Sequence, residues 1–158
     1  MSEVFNKILV VGAGELGSQI AGIIARAWRE VLLHDRSSEA LKKAEKKINS
    51  VNLRCIEKLD ERMKGCDLVI ESITEVLIIK QNLFKSLENL VGNTTVIVTN
   101  SSMLLPSKIA KKMRNKERFC GFHFYWPDDG ANIVDIMPIK NTNKEIPVKL
   151  KEFSVECG

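Results

Sequence analysis

The sequence predicts an open α/β fold, a mostly parallel sheet with helices on both faces. Three observations carry that expectation. The runs KILVVGAG, EVLLHD, CDLVIESI, TTVIVTNSS and RFCGFHFY are β-branched and apolar on both sides of the strand alternation, as in strands buried on both faces. Segments of helical period or composition separate them, and strands alternating with helices in this way mean βαβ crossovers. The 158 residues suffice for one core, and no repeat, low-complexity tract or linker divides them, so residues 1–158 read as one domain.

Each element follows in order. KILVV opens the sheet and leads into a helix over Glu15–Ala27. EVLLHD is the second strand, and Ser37 or Ser38 is placed to cap a helix over Ser38–Ser50, since a short hydroxyl side chain accepts from the free amides of a first turn. CDLVIESI, a helix over Glu75–Val91, TTVIVTNSS and a helix over Pro106–Met113 come next. RFCGFHFY and NIVDIMPI are the last two strands. Asn143–Gly158 reads as a closing helix whose Pro147 is tolerable only in a first turn.

Composition narrows the function classes. Hydrophobic residues make up 44% and charged residues 28%, with a net charge of +4, ordinary for a globular protein. The basic clusters Lys42–Lys47 and Lys111–Arg118 read as a solvated helix face and a solvated turn. A phosphate-bearing ligand is the alternative, and no aromatic residue interleaves to suggest nucleic acid. Cys55, Cys66, Cys120 and Cys157 have no C-x-x-C spacing, and two histidines do not complete a metal site. They read as reduced structural thiols, and no metal is expected. No leader-like segment opens the chain, and no apolar run approaches the roughly 20 residues of a bilayer span. The expectation is a cytoplasmic protein, or one in another reducing compartment, that takes neither membrane nor nucleic acid as partner.

Gly12-Ala13-Gly14-Glu15-Leu16-Gly17 is a G-x-G-x-x-G that directly follows a strand and opens a helix. Asp35 closes the next strand, 18 residues after Gly17, where a carboxylate can accept from the ribose hydroxyls of an adenine dinucleotide. Gly12 suits a tight turn, Gly14 lets a pyrophosphate approach the backbone, and Gly17 lets helix and strand pack closely. The helix N-terminus supplies partial positive charge, and Glu15 and Leu16 in its first turn are expected to be cofactor contacts with the three glycines. The fold is therefore expected to be of Rossmann type, doubly wound. Asp35 repels the extra phosphate of NADP and favours NAD, although Arg36 beside it could pair with that phosphate.

Ligands in such sheets bind beyond the carboxyl ends of the strands. Glu71 and Glu75 follow one strand, Asn100-Ser101-Ser102 another, and His123 lies in the aromatic run GFHFYWP. A histidine there is either a satisfied core residue or a proton carrier. His34 reads as a strand residue packed beside the cofactor crease. Ser101 reads as loop-shaping, Glu71 as a supporting carboxylate, and Met103, Met113 and Met137 as core filler.

The stretches VVGAGELG, DLVIESITEVLIIKQNLFKSLE, TNSSMLLPSKIA, GFHFYWP and IVDIMPIK resemble the NAD-dependent L-3-hydroxyacyl-CoA dehydrogenases, specifically the family's N-terminal NAD-binding domain. The resemblance covers almost the whole chain. It implies His123 as the catalytic histidine and Asp135 as its acidic partner, with Ser102 and Asn100 orienting the reacting oxygen. It also implies Glu75 and Lys80 near the nicotinamide end of the cofactor. The implied activity is hydride transfer between NAD and a 3-hydroxyacyl-CoA or a related hydroxy acid. A homo-oligomer or a helical partner domain is the implied assembly, and a non-catalytic NAD-binding module is the alternative reading.

Five departures from the family pattern accompany the resemblance. Trp126 stands at the asparagine of the H-F-F-N-P signature, and Asp135 is one methylene shorter than the usual glutamate. A helical hairpin between Asp35 and Glu75 is missing, and no C-terminal helical domain appears before Gly158. Trp28 stands where a glycine commonly ends the first helix, which should cost stability. Exposed apolar surface is expected around Phe124–Trp126 and the last helix.

Overall fold

A computed structural model describes residues 4–125 and 133–158. Seven strands form one sheet in the order β3-β2-β1-β4-β5-β6-β7: β1 (Lys7–Val11), β2 (Glu30–His34), β3 (Leu53–Ile56), β4 (Leu68–Glu71), β5 (Val96–Thr99), β6 (Phe119–Phe124) and β7 (Val134–Pro138). All pairs are parallel except β6–β7. The chain reverses direction across the sheet between β1 and β4, the switch point at which α/β folds hold ligands.

The strand alternation decides which helix covers which face. Ile8 and Val10 of β1, with Val31, Leu33 and Ile70, share one buried cluster with Ile20 and Ile24 of α1 (Glu15–Arg26), Leu41 of α2 (Ser38–Ile48) and Phe153 of α5 (Glu145–Cys157). Leu9, Val11, Val69 and Ile97 point the other way, onto Phe84 and Leu87 of α3 (Leu77–Leu90) and Ile109 of α4 (Pro106–Ile109). The sheet is thus covered on both faces, the expected Rossmann-type architecture.

Several local expectations need correction. β3 is a half-buried edge strand whose Arg54 is exposed, so it lacks the apolar run that marks the central strands. The helix expected from Glu75 starts at Leu77, leaving Glu75 in the loop. Pro106–Met113 is one α-turn followed by a 3-10 turn. Met103 is 83% exposed in the loop after β5, where no facing layer covers it, and is not core filler. Arg118 is buried rather than solvated, donating to the carbonyls of Gly92 and Glu88. Ser37 caps α2 by accepting from Ala40 N at 3.2 Å. Pro147 falls in the first turn of α5.

Trp28 occupies the left-handed position at the end of α1. Trp28 N–H donates to Ala25 O and Arg29 N–H to Ile24 O, the paired bonds of a Schellman stop. Trp28 takes φ +62° there and is 81% exposed. A left-handed conformation costs a non-glycine residue about 1–2 kcal/mol, while glycine returns about 0.4–1 kcal/mol through chain entropy. Trp28→Gly is therefore expected to stabilise the fold by about 0.5–1 kcal/mol in urea unfolding. Equal or lower stability in that variant would show that the indole makes compensating contacts.

Candidate functional site

Two neighbourhoods at the carboxyl ends of the strands make up the site. The first is built by the glycine turn. Gly12, at φ +109°, holds its backbone against Ser72 O so closely that a Cβ would collide with it. Its N–H donates to His34 O at 2.8 Å, tying β1 to β2. A Cβ on Gly17 would overlap Gly12 O, so the first turn of α1 reaches its position only with glycine there. Gly14 is different. It is exposed, and a Cβ would meet nothing within 4 Å, leaving open space over the helix N-terminus for an anionic group.

Asp35 anchors this turn. Its Oδ2 accepts from Ala13 N and its Oδ1 from Ser37 N, both at 2.8 Å, so the carboxylate bridges the glycine turn and the start of α2. Gly12, Gly14, Asp35 and Arg36 line a cleft of about 770 Å³, with Ser72 and Ile79 on the far wall. A mixed cleft of that size beside a free helix N-terminus and a fixed carboxylate fits an adenine dinucleotide. Glu15 and Leu16 do not line it: Glu15 is exposed on the first turn of α1, and Leu16 packs toward the core.

His34 closes β2 and also lines the cleft. Burial pushes its pKa below the ordinary 6.5; Asp35 and a bond to the Glu57 backbone work against that shift, and Arg36 works with it. The unfolded chain therefore takes up this proton first as pH falls. Stability is full above about pH 6.5 and declines below it toward the depressed folded value. His34→Gln should flatten that slope in pH-dependent urea unfolding, and an unchanged slope would contradict the assignment. Burial also pushes the Cys66, Cys120 and Cys157 thiols up to about 11, which leaves them protonated and poor nucleophiles.

The second neighbourhood lies at the ends of β4, β5 and β6. Lys80 and Glu71 are essentially buried and form an ion pair. Glu71 Oε2 also accepts from Thr99 Oγ1 at 2.6 Å and its Oε1 from Ile73 N at 2.8 Å, while Lys80 donates to Ile73 O at 3.1 Å. Both carboxylate oxygens and the ammonium thus have hydrogen-bond partners beyond the pair itself, the condition under which a buried pair is tolerated. Lys80 thus lies beneath the site rather than open to it. The exposed Glu75 carboxylate lies 3.8 Å from its Nζ. Glu75 accepts from Ser101 Oγ at 2.8 Å and Ser102 N at 3.0 Å, fastening the loop after β5 to the entry of α3.

Asn100 is buried, and its Oδ1 accepts from Phe124 N at 2.7 Å. That bond fixes the end of β6, the segment bearing His123. Ser102 is exposed on the same rim. His123 is half-buried and pairs in antiparallel register with Asp135, so both side chains stand on one face of the ladder, with Cβ atoms about 5 Å apart. Among the described residues, however, no hydrogen bond joins them. Asp135 Oδ2 instead accepts from the Tyr125 hydroxyl at 2.6 Å, and the Tyr125 ring meets His123 edge-on with centroids 4.6 Å apart.

Sequence reasoning missed Tyr125. The signal was available: a hydroxyl replaces the second phenylalanine of the H-F-F-N-P signature two residues after His123, on the same strand face. Trp126 lies outside the described residues. The expected apolar surface is present in part, with Tyr125, Val148 and Val155 exposed.

The described residues contain no cluster of three or more metal-ligating side chains, and no helix among them is long and apolar enough to cross a membrane.

Comparison with known proteins places this geometry. The family model described as "3-hydroxyacyl-CoA dehydrogenase, NAD binding domain" matches residues 7–60 and 51–158. Its two matched segments overlap at residues 51–60. A probable 3-hydroxyacyl-CoA dehydrogenase of Caenorhabditis elegans is 30% identical over 97% of this chain and 58% of its own length. A 3-hydroxyadipyl-CoA dehydrogenase of Escherichia coli is 30% identical over 96% of this chain and 36% of its own. The solved 3-hydroxybutyryl-CoA dehydrogenase of Escherichia coli superposes with a TM-score of 0.91 at 27% identity, covering 98% of this chain and 37% of that one. The chain thus spans between about a third and three-fifths of the length of these relatives.

Proposed function

Since this chain belongs to the 3-hydroxyacyl-CoA dehydrogenase family, we propose that it transfers hydride between NAD and a 3-hydroxyacyl substrate or a related 3-hydroxy acid. NAD is the cofactor of its domain family, and when bound it supplies the hydride acceptor. The chain's own groups do the rest. The glycine turn and Asp35 grip the dinucleotide, and the Asn100–Phe124 bond holds the strand end from which His123 works. His123 accepts the hydroxyl proton as the alcohol is oxidised, a role suited to an imidazole, the side chain that exchanges protons most readily near neutral pH. Ser102, exposed on the loop fastened by Glu75, is placed to orient the reacting oxygen.

One observation carries this reading: the glycine turn, Asp35, Ser102 and His123 all lie at the same carboxyl edge of one sheet. Formation of NADH from NAD and 3-hydroxybutyryl-CoA, followed by absorbance, tests it. Steady turnover supports the proposal, and none with any 3-hydroxyacyl thioester or free 3-hydroxy acid overturns it.

A second reading is favoured by the Tyr125–Asp135 bond, which takes up the acidic partner. Here the chain is a non-catalytic NAD-binding module, or one that needs a helical partner domain or a second copy. Val76, Ile78, Met103, Leu105, Tyr125 and Ile133 are exposed along the same edge, where such a partner would close the cleft. Protection against heat by NAD without turnover would select this reading. The free thiols accord with a reducing compartment, and the proposal places the protein in the cytoplasm.

A further inference from the structure

The ladder puts Asp135 directly across from His123, yet its carboxylate is engaged by a different side chain. Tyr125 lies two residues beyond His123 on the same face, and Tyr125 N bonds to Ile133 O at 3.0 Å. Its phenol therefore reaches Asp135 along the diagonal of the ladder, a span of about 7–8 Å that long aromatic side chains bridge. An aspartate is short, and a bond to one neighbour turns its carboxylate away from the other. The bond formed is the strong kind, O–H to carboxylate at 2.6 Å.

We propose that Tyr125 is a positioning residue that sequesters Asp135 from His123, leaving the imidazole without a paired carboxylate. The inference rests on His123 being the proton carrier proposed above. In that role His123 works without a carboxylate hydrogen-bonded to its ring, because the Asp135 carboxylate is directed to the phenol. The phenol's raised pKa, caused by accepting neighbour Asp135, agrees with an intact O–H donor at neutral pH. Of the charged groups at the ends of β4 and β5, Glu75 is turned to the Ser101–Ser102 loop, and Glu71 and Lys80 are paired with each other, while His34 and Asp35 lie across the sheet at the end of β2. A phenylalanine at 125 would release Asp135 toward the ring opposite it.

Proton NMR of the whole chain tests this, following the imidazole Cε1–H of each of the two histidines through pH, with His123→Asn identifying the signal. Tyr125→Phe is expected to raise the His123 midpoint by roughly one pH unit, as an opposite charge gained nearby does. Asp135→Asn alone should move it far less, and Tyr125→Phe/Asp135→Asn should lack the rise. An unchanged midpoint in Tyr125→Phe would overturn the proposal. So would a drop of about a unit in Asp135→Asn alone, which would mean that the carboxylate already serves the ring. The titration needs neither NAD nor substrate. A chain that fails to turn over would sink the dehydrogenase reading while leaving this result standing, and the converse also holds.

Discussion

His123→Asn is expected to lower turnover of a 3-hydroxyacyl thioester by about 10²- to 10⁴-fold, the usual contribution of a positioned general base. Asparagine keeps a hydrogen-bonding side chain of similar reach but cannot carry a proton between two heavy atoms. NAD affinity should be unchanged. The proposed grip on the dinucleotide is made by the glycine turn and Asp35, just beyond β1 and β2, while His123 stands on β6. Three strand steps separate β1 from β6, about 14 Å at ordinary spacing. Stopped-flow turnover and calorimetry of NAD binding check the two halves separately. Equal turnover in both proteins would remove His123 from the mechanism, and a loss confined to NAD affinity would make it a cofactor contact.

Lys80→Met should destabilise the fold by about 3–5 kcal/mol, the cost of removing one partner of a buried pair. Methionine fills most of the lysine stem's volume, so the loss is electrostatic. Glu71, wholly buried, would keep only Thr99 and the Ile73 amide for its carboxylate. The effect should also reach the site, because Lys80 holds the Ile73 carbonyl and neighbours Glu75. Urea unfolding gives the stability change, and Glu71→Gln/Lys80→Met separates charge from packing. The double variant should be less destabilised than the sum of its parts, since the orphaned charge is gone. A single variant within about 1 kcal/mol of the parent would mean that Glu71 takes up a proton or water at little cost.

The candidate site was legible in the sequence as residue names rather than as partnerships. Gly12, Gly14, Gly17 and Asp35 could be read from spacing because a strand, a turn and a helix start are contiguous, and local geometry leaves few alternatives. His123 and Asp135 could be paired by resemblance, and the strand register does set them opposite each other. The bond that Asp135 makes could not be read, because a carboxylate flanked by two donors chooses between them by distances of an ångström or less. Lys80 could be named but not located: nine residues and a loop separate it from Glu71, and only the fold brings the two together.

By itself the sequence determined the doubly wound sheet and its cofactor turn, because apolar alternation and glycine spacing are properties of neighbouring residues. Tertiary structure decided the rest. It made an edge strand of Leu53–Ile56, buried Arg118 and Lys80, left Met103 in solvent and gave Asp135 to Tyr125. The physical reason is shared by all of them. Whether a side chain is buried, and what satisfies a polar group that is, depends on segments that meet only after the chain has closed on itself.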